Sequence, residues 1–214
     1  MQALERAQVV EVRHPLVRHK LGLLRDSSTP TQVFRQLVNE LTLLLTYEAT
    51  MDLATEEIEV STPLERTTVQ RISGKKVAVC PILRAGLGML DGVLSLISGA
   101  RVGFIGLYRN EETLEPVEYY VKLPADIAQR DVILLDPMLA TGNSVASAVT
   151  SVKRAGAESV RLIALIAAPE GIERLHGEHP DVQIVVAGID RELNDRGYIV
   201  PGLGDAGDRL YGTR

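Results

Sequence analysis

The segment 132–144 holds residue types that could bind a phosphate group beside a sugar. A short apolar run ends in an acid, and small or polar residues follow: Val132-Ile133-Leu134-Leu135-Asp136-Pro137-Met138-Leu139-Ala140-Thr141-Gly142-Asn143-Ser144. Backbone N–H groups in a loop that leads into a helix can converge on one anion, and the helix dipole favours negative charge there. Thr141 and Ser144 add hydroxyl donors, and Gly142 tolerates the positive φ of a tight turn. Asp136 could accept hydrogen bonds from sugar hydroxyl groups; the alternative is a helix cap with a buried acid.

Two arginines follow apolar runs elsewhere in the chain. Arg84 comes after Val77-Ala78-Val79-Cys80-Pro81-Ile82-Leu83 and just before Gly86 and Gly88, and Arg109 follows the run 101–107. Arginine is always charged and donates hydrogen bonds in a planar fork, which suits a diphosphate. For an isolated arginine at the end of a strand, a surface ion pair is the competing interpretation.

The third candidate region is the glycine-rich C-terminal stretch 197–212, whose composition predicts a loop around Asp205. A loop rich in glycine can present bare N–H and C=O groups to a planar base.

Strands that alternate with helices must position these residues. From residue 76 onward we expect strands at 77–82, 101–107, 132–136, 160–168 and 182–187, a returning strand at 118–122, and helices from Gly86 to about 97, at 143–155 and at 170–175. Apolar strands that alternate with helices indicate an α/β fold with a doubly wound, mainly parallel sheet. In such sheets ligands bind beyond the carboxyl ends of the strands, so the chemistry is expected there.

The N-terminal third is predicted to lie outside that sheet. Residues 9–28 are expected to be irregular, and a long amphipathic helix is predicted from Thr29 as N-cap and Pro30 as first helical residue to about Met51. Residues 56–71 contain Pro63 and are predicted to form short edge strands or an arm. Both parts carry more apolar surface than one sheet face needs, which predicts a homodimer or higher homo-oligomer.

Composition excludes several classes of protein. The chain has 214 residues, a net charge of -5 and 45% hydrophobic residues, which is typical of a globular protein and unfavourable for binding nucleic acid. A single cysteine, Cys80, allows no internal disulfide and is expected to be a small buried hydrophobe. Without an apolar leader or a run of about 20 apolar residues, we expect a cytoplasmic protein with no membrane partner.

The form of residues 136–144 resembles the ribose-phosphate motif of the type I phosphoribosyltransferases. Pro137 stands where most of that superfamily carries a second acid, as in its uracil-specific branch. The segments 81–89, 106–113 and 197–212 resemble the same family in order and spacing, so the resemblance covers nearly the whole chain. Asn143 stands where many relatives have glycine.

The resemblance implies that uracil and 5-phospho-α-D-ribose 1-diphosphate react to give UMP and diphosphate. It implies catalytic roles for Arg84, Arg109 and Asp205. The ribose diphosphate would contact Arg84, Arg109, Asp136, Pro137, Met138, Leu139, Ala140, Thr141, Gly142, Asn143, Ser144 and Asp205, and uracil would contact Ile199, Gly204, Asp205 and Ala206. Mg2+ is expected with the diphosphate rather than on protein ligands of its own. The region 106–122 would form a hood over the reaction, the alternative being an ordinary surface hairpin, and no base for uracil N1 is evident.

A single phosphoribosyltransferase domain over 1–214 is expected, with a helix and arm at 1–72, an α/β core at 73–190 and a uracil-pocket segment at 191–214. GTP activates part of the family, and the sequence does not decide whether it acts here. Two alternatives stay open. One is a hypoxanthine/guanine or orotate enzyme of the same fold, and the other is a regulator that binds nucleotides and RNA with little catalysis.

Overall fold

A mainly parallel sheet forms the centre of the protein, in a computed structural model that describes residues 8–74, 77–109 and 116–213. In chain order its strands are β1 (Val9–Glu11), β4 (Val77–Leu83), β5 (Arg101–Val102), β6 (Phe104–Arg109), β7 (Pro116–Lys122), β8 (Asp131–Leu135), β9 (Met138–Leu139), β10 (Ser159–Ala167) and β11 (Gln183–Ile189). The spatial order is β1-β11-β10-β8-β4-β6-β7, with β5 beside β4 and β9 beside β10. Only β7 among these runs antiparallel to its neighbour. The predicted α/β class with a mainly parallel sheet is confirmed.

Helices cover both faces of this sheet. They are α1 (Pro15–Arg25), α2 (Thr31–Ala49), α3 (Leu90–Leu96), α4 (Asn143–Arg154), α5 (Pro169–Glu178) and α6 (Ala206–Tyr211). Buried residues of α1, α2, α3 and α6 share one hydrophobic cluster, and those of α4 and α5 share the other. The strands β4, β8 and β10 are therefore buried on both sides, which explains why their sequences are nearly continuous apolar runs.

The prediction that residues 9–28 are irregular is wrong. They contain β1, whose Val9 pairs with Ile184 of β11, and the whole of α1. Pro15 occupies the first turn of α1, and the His14 imidazole caps that turn by accepting from the Leu16 N–H at 3.2 Å. The strand has only three residues and its partner lies far along the chain, so no local pattern identifies it.

The long helix and the arm are confirmed with shifted ends. Helix α2 begins after Pro30, and the Thr29 hydroxyl donates to the Leu23 carbonyl at 2.7 Å instead of capping the helix. Its last residue is Ala49. The arm is an antiparallel hairpin of β2 (Thr55–Ser61) and β3 (Arg66–Ile72), a two-stranded sheet of its own.

The expected strand 101–107 is divided between β5 and β6 at Gly103. A Cβ atom on Gly103 would lie 2.9 Å from the Cys80 Sγ atom, so the chain between β5 and β6 packs tightly against β4 at this point. Cys80 is fully buried, and burial raises the pKa of its thiol to about 12. The thiol is therefore protonated at neutral pH and has the packing role that we expected.

The C-terminal stretch is more regular than the predicted loop. A small antiparallel pair, β12 (Glu192–Leu193) and β13 (Ile199–Val200), is followed by α6. Among the described helices, none combines the length and apolar character needed to cross a membrane.

Candidate functional site

A loop between β8 and α4 carries the residues predicted to bind a phosphate. The chain leaves β8 at Leu135, pairs briefly with β10 through β9, and enters α4 after Gly142, whose φ of 78° lies in the left-handed region. The first N–H groups of a helix have no acceptor within the helix. Thr141 and Ser144 lie half-buried at the same point, and in the described part of the chain their hydroxyl groups have no hydrogen-bond partner. The loop therefore presents unused donors to an anion.

The start of α5 holds this loop in place. A Cβ atom on Gly171 would lie 2.3 Å from the Ala140 carbonyl oxygen, and one on Gly142 would lie 2.7 Å from the Gly171 carbonyl oxygen. The two backbones touch, which only glycine at both positions permits. On the next turn of α5 the Arg174 Nε donates to the Asn143 side-chain oxygen at 2.9 Å.

Asp136 stands between β8 and β9, beside the loop. Its Oδ1 atom accepts from the Met138 N–H at 3.2 Å. Burial of the carboxyl group raises its pKa to about 7, against the opposing effect of that hydrogen bond. Pro137 and Leu139 are buried. The Pro137 carbonyl accepts from the N–H groups of Leu165 and Ile166 in β10, and the Leu139 carbonyl accepts from the Ala168 N–H just after that strand.

The Arg84 loop lies directly against the end of β8. Strand β4 ends at Leu83, a cis peptide bond joins Leu83 to Arg84, and a 3-10 turn spans Ala85–Met89. A Cβ atom on Gly86 would lie 2.2 Å from the Leu135 carbonyl oxygen, one residue before Asp136. The Arg84 side chain is exposed, and its guanidinium makes no hydrogen bond with any residue that the structure describes. A cation is thus available beside the acid.

The C-terminal segment meets both loops. Gly197 lies 3.6 Å from the Thr141 methyl group, and Gly207 lies 3.9 Å from the Ala85 Cβ atom, both measured from an ideal Cβ position on the glycine. Asp205 is exposed and caps α6 by accepting from the Asp208 N–H at 2.9 Å. The structure therefore brings three of the four predicted segments together at the carboxyl ends of the strands. Ile199 and Ala206 are buried, while Gly204 is exposed.

Two arginines that sequence reasoning missed hold this segment. The Arg25 guanidinium forms a two-point ion pair with the buried Asp190, and both residues also bond to Gly202, whose carbonyl accepts from Arg25 at 2.7 Å and whose N–H donates to Asp190 at 2.9 Å. Arg25 and Asp190 are 165 residues apart in sequence, so no local signal could have identified them.

Arg209 is the second of these arginines. Its guanidinium donates to the carbonyl oxygens of Leu24 at 2.7 Å, Leu203 at 2.8 Å and Asp26 at 2.6 Å, and lies 4.3 Å from the centre of the Phe34 ring. Three of its five N–H donors are thus directed to backbone carbonyls.

The predicted hood can be followed only in part. Strand β6 ends at Arg109, and β7 returns antiparallel to it as expected. The Arg109 side chain and residues 110–115 lie outside the described residues.

Metal ligands are sparse at this end of the sheet. In the ranges 8–74, 77–109 and 116–213, no group of three or more His, Cys, Asp or Glu side chains could hold a metal ion. The carboxylates of Asp136, Asp205 and Asp208 are the acidic groups of the three segments described above.

Comparison with known proteins agrees with the geometry. A family model described as uracil phosphoribosyltransferase matches residues 10–213. The chain is 60% identical, over 208 residues, to proteins named uracil phosphoribosyltransferase from Clostridium botulinum and Clostridium perfringens, which covers 97% of this chain and 100% of each relative. Among solved structures, the AQ2163 protein from Aquifex aeolicus matches with a TM-score of 0.91 and 42% identity over 96% of this chain and 98% of that one. A hypoxanthine phosphoribosyltransferase from Trypanosoma cruzi shares the fold, with a TM-score of 0.50 and 10% identity over 74% of this chain and 76% of that one.

Proposed function

The chain belongs to the uracil phosphoribosyltransferase family, and on that premise we propose that it transfers a 5-phosphoribosyl group to uracil. The reaction joins N1 of uracil to C1 of 5-phospho-α-D-ribose 1-diphosphate and releases diphosphate, giving UMP. The observation that carries the proposal is the meeting of an anion loop, a free arginine and a glycine-rich segment at one end of the sheet.

The loop 140–144 binds the 5-phosphate. Its unused N–H groups and the hydroxyls of Thr141 and Ser144 supply the donors, and the N-terminus of α4 favours the negative charge. Asp136 accepts hydrogen bonds from the ribose hydroxyls, which requires its ionised form. Pro137, Met138 and Leu139 contribute backbone contacts between the acid and the loop.

Arg84 and Arg109 bind the diphosphate. Their fixed positive charges stabilise negative charge as it develops on the leaving group. Mg2+ fits the site as a companion of the diphosphate, because this ion takes one or two carboxylates plus substrate phosphates and keeps several waters. Asp136 and Asp205 would hold it directly or through water, and the bound ion would neutralise charge on the leaving group.

The backbone of Gly204, Asp205 and Ala206, with Ile199, recognises uracil. The base presents alternating donors and acceptors along its edge, which backbone groups can match without a charged side chain. Orotate differs by a carboxylate and would need a cation in this pocket. The nearby Arg209 directs three of its donors to backbone carbonyls rather than to the pocket, which supports the uncharged base.

Orientation and electrostatics supply most of the rate enhancement in this scheme. The substrates meet with N1 facing C1, and the transition state resembles an oxocarbenium ion stabilised by the departing diphosphate. Closure of the hood, residues 106–122, excludes water that would otherwise attack the ribose.

We propose that residues 1–214 act as one domain and that two copies associate. The surface of α2 and the turn after it expose Tyr47 at 68% and Met51 at 61%, and Leu64 at the tip of the arm is 95% exposed. Such apolar groups suit a partner subunit. Sedimentation at working concentration tests the dimer, and addition of GTP to the assay below tests whether that nucleotide is an effector.

A turnover assay tests the proposal. The protein, Mg2+ and the ribose diphosphate are mixed with uracil, cytosine, hypoxanthine or orotate, with and without GTP, and nucleotide formation is measured. We expect UMP from uracil and no product from the other bases. Product from orotate or hypoxanthine would overturn the base assignment. No turnover under any condition, together with RNA binding that weakens as salt rises, would favour the regulator instead.

A further inference from the structure

Helix α6 touches both proposed substrate sites with its two ends. Asp205 and Ala206, which we assign to uracil, lie at its start, and Tyr211 is its last residue. At about 1.5 Å per residue the six-residue helix is only about 9 Å long. The helix therefore forms a short connection between the base pocket at its start and the groups that contact Tyr211 at its end.

Tyr211 contacts the loop that carries Arg84. Its hydroxyl donates to the Arg84 carbonyl oxygen at 3.0 Å. Burial raises the pKa of Tyr211, while the Gly88 N–H and the nearby guanidiniums of Arg84 and Arg35 act in the opposite direction. The last turn of α6 thus packs against the proposed diphosphate loop. The Tyr211 hydroxyl donates to the backbone carbonyl of Arg84, the residue whose side chain would bind the diphosphate.

Packing fixes that end of the helix to the same loop. A Cβ atom on Gly88 would lie 2.8 Å from both terminal carbons of Leu210, so the side chain and the loop backbone are in close contact. From the other side, the Arg35 Nε donates to the Leu210 carbonyl oxygen at 2.5 Å. A displacement of the loop would therefore move the end of α6.

The start of the helix is fixed to the base pocket in a similar way. Arg209, one turn into α6, donates to the Leu203 carbonyl oxygen at 2.8 Å, and the Asp205 side chain caps the helix at 2.9 Å. The helix and residues 203–205 are consequently one rigid piece. Within this piece, Gly204, Asp205 and Ala206 are the residues that we assign to a substrate.

We propose that Tyr211 is a positioning residue that couples the diphosphate loop to the uracil pocket through α6, so that filling either site increases the affinity of the other. The proposal rests on the function proposed above. The Arg84 guanidinium is free to follow the diphosphate, while its carbonyl is held by Tyr211. A change in the Arg84 backbone on diphosphate binding is thereby transmitted to the backbone that faces uracil. Because coupling between two ligands is reciprocal, uracil must affect the diphosphate site by the same factor.

The variant Tyr211→Phe tests this by removing one hydroxyl. The Arg84 carbonyl keeps a second donor, the Leu87 N–H at 3.2 Å, so the variant leaves no unsatisfied acceptor there and should fold. Tyr47→Phe is the matched control: Tyr47 lies on α2, away from both proposed substrate sites, and the change keeps the aromatic ring that suits a partner subunit. Calorimetry with the full chain measures the affinity for uracil without and with saturating pyrophosphate, and initial rates give kcat and the two KM values.

We expect pyrophosphate to increase the affinity of the wild-type protein and of Tyr47→Phe for uracil. In Tyr211→Phe this increase should shrink by roughly 2- to 10-fold, the range for loss of one hydrogen bond. Both KM values should rise in that variant, while kcat stays within about twofold, because the hydroxyl touches no reacting atom.

Three outcomes would overturn the inference. The first is a wild-type protein that forms UMP but whose uracil affinity does not respond to pyrophosphate. The second is a Tyr211→Phe variant with wild-type coupling, and the third is a variant that loses kcat with both KM values unchanged. A wild-type protein that forms no UMP would instead overturn the proposed function, and this inference with it.

Discussion

The phosphate loop and the base segment reach the same end of the sheet but are held there by different means. The phosphate loop, residues 136–144, is fixed by backbone lying on backbone, where Gly142 and Gly171 bring two loops into contact. The base segment, residues 190–212, is fixed by two guanidinium groups: Arg25 of α1 donates to its Gly202 carbonyl, and its own Arg209 donates to its Leu203 carbonyl and to the carbonyls of Leu24 and Asp26. The phosphate loop is thus positioned by small residues, and the base segment by long side chains that join it to the distant N-terminal part of the chain.

This contrast fits the task of each region. A phosphate is bound mainly by N–H groups, so its loop must expose backbone and gains from having few side chains nearby. A base pocket made of backbone has no side chain of its own to set its shape. Charged groups that hydrogen-bond to that backbone, such as Arg25 and Arg209, must fix its shape instead. If the proposed pocket is correct, we expect the buried Asp190 with Arg25 to set how well uracil fits.

The largest expected effect follows from breaking that ion pair. Asp190→Ala leaves the Arg25 charge without its partner in a position that is three-quarters buried, and removal of one partner of a buried pair costs about 3–5 kcal/mol. Denaturant unfolding should show this loss, and the KM for uracil should rise more than the KM for the ribose diphosphate.

The control is Asp181→Ala, which removes an exposed ion pair with Lys153. Exposed pairs contribute less than about 1 kcal/mol, so this variant should be nearly as stable as the wild type. Equal losses in the two variants would show that the Arg25–Asp190 pair has no special part in holding the segment.

The phosphate loop could be predicted from the sequence better than the base segment, because local patterns show only the features that depend on neighbouring residues. The strands around the phosphate loop, β8 and β10, are continuous apolar runs, and the helix after the loop begins at Asn143 as expected. The residue types of Asp136 and the loop were therefore informative without any knowledge of the rest of the chain. Glycine contacts such as that of Gly171 with Ala140 were not foreseen, because they depend on how α5 returns to the sheet.

The base segment was predicted as a loop, and α6 within it was missed. A six-residue helix has little intrinsic stability, and this one depends on a cap by Asp205, on Arg209 and on packing of Leu210. Arg209 donates to carbonyl oxygens of α1, of the turn after it and of the segment itself. Long-range contacts of this kind leave no periodicity in the sequence.

The next largest effect concerns the glycine contact behind the phosphate loop. Gly171→Ala places a methyl group 2.3 Å from the Ala140 carbonyl oxygen, so the loop must shift away from α5. Overpacking of this kind costs about 1–3 kcal/mol, and we expect unfolding stability to fall and the KM for the ribose diphosphate to rise, with little change in the KM for uracil. Gly177→Ala, in the same helix with open space around it, is the control. If both variants behave alike, the contact does not position the loop.

Asp136 gives an effect of intermediate size that depends on pH. Burial raises the pKa of Asp136 to about 7 from an ordinary value of 3.8. Between these two pH values the folded protein retains a proton that the unfolded chain has released. Its contribution to unfolding stability therefore falls as the pH rises from about 4 to about 7 and is constant above that.

The same ionisation should appear in the kinetics. In the proposed site, Asp136 binds the ribose hydroxyls as a carboxylate. We therefore expect kcat/KM for the ribose diphosphate to rise about tenfold between pH 6 and pH 8, as the ionised fraction does. Asp136→Asn should have low activity and a flat profile over that range, together with a smaller pH dependence of stability. A wild-type profile with no inflection near pH 7 would show that Asp136 does not control binding.

The smallest expected effect tests whether the hydroxyl of Thr141 is one of the phosphate donors. The hydroxyl has no partner among the described residues, so its removal in Thr141→Ala leaves no buried group unsatisfied and the fold should persist. Loss of a single hydrogen bond to a charged phosphate costs about 1.5–3 kcal/mol, which corresponds to roughly 10- to 150-fold in affinity. Because the backbone donors of the loop remain, calorimetry should show ribose-diphosphate affinity reduced by roughly 10-fold, at the lower end of that range. Thr141→Ser keeps the hydroxyl and should bind like the wild type. If the alanine and serine variants weaken binding equally, the methyl group that faces Gly197 matters instead, and the phosphate loop depends on its contact with the base segment.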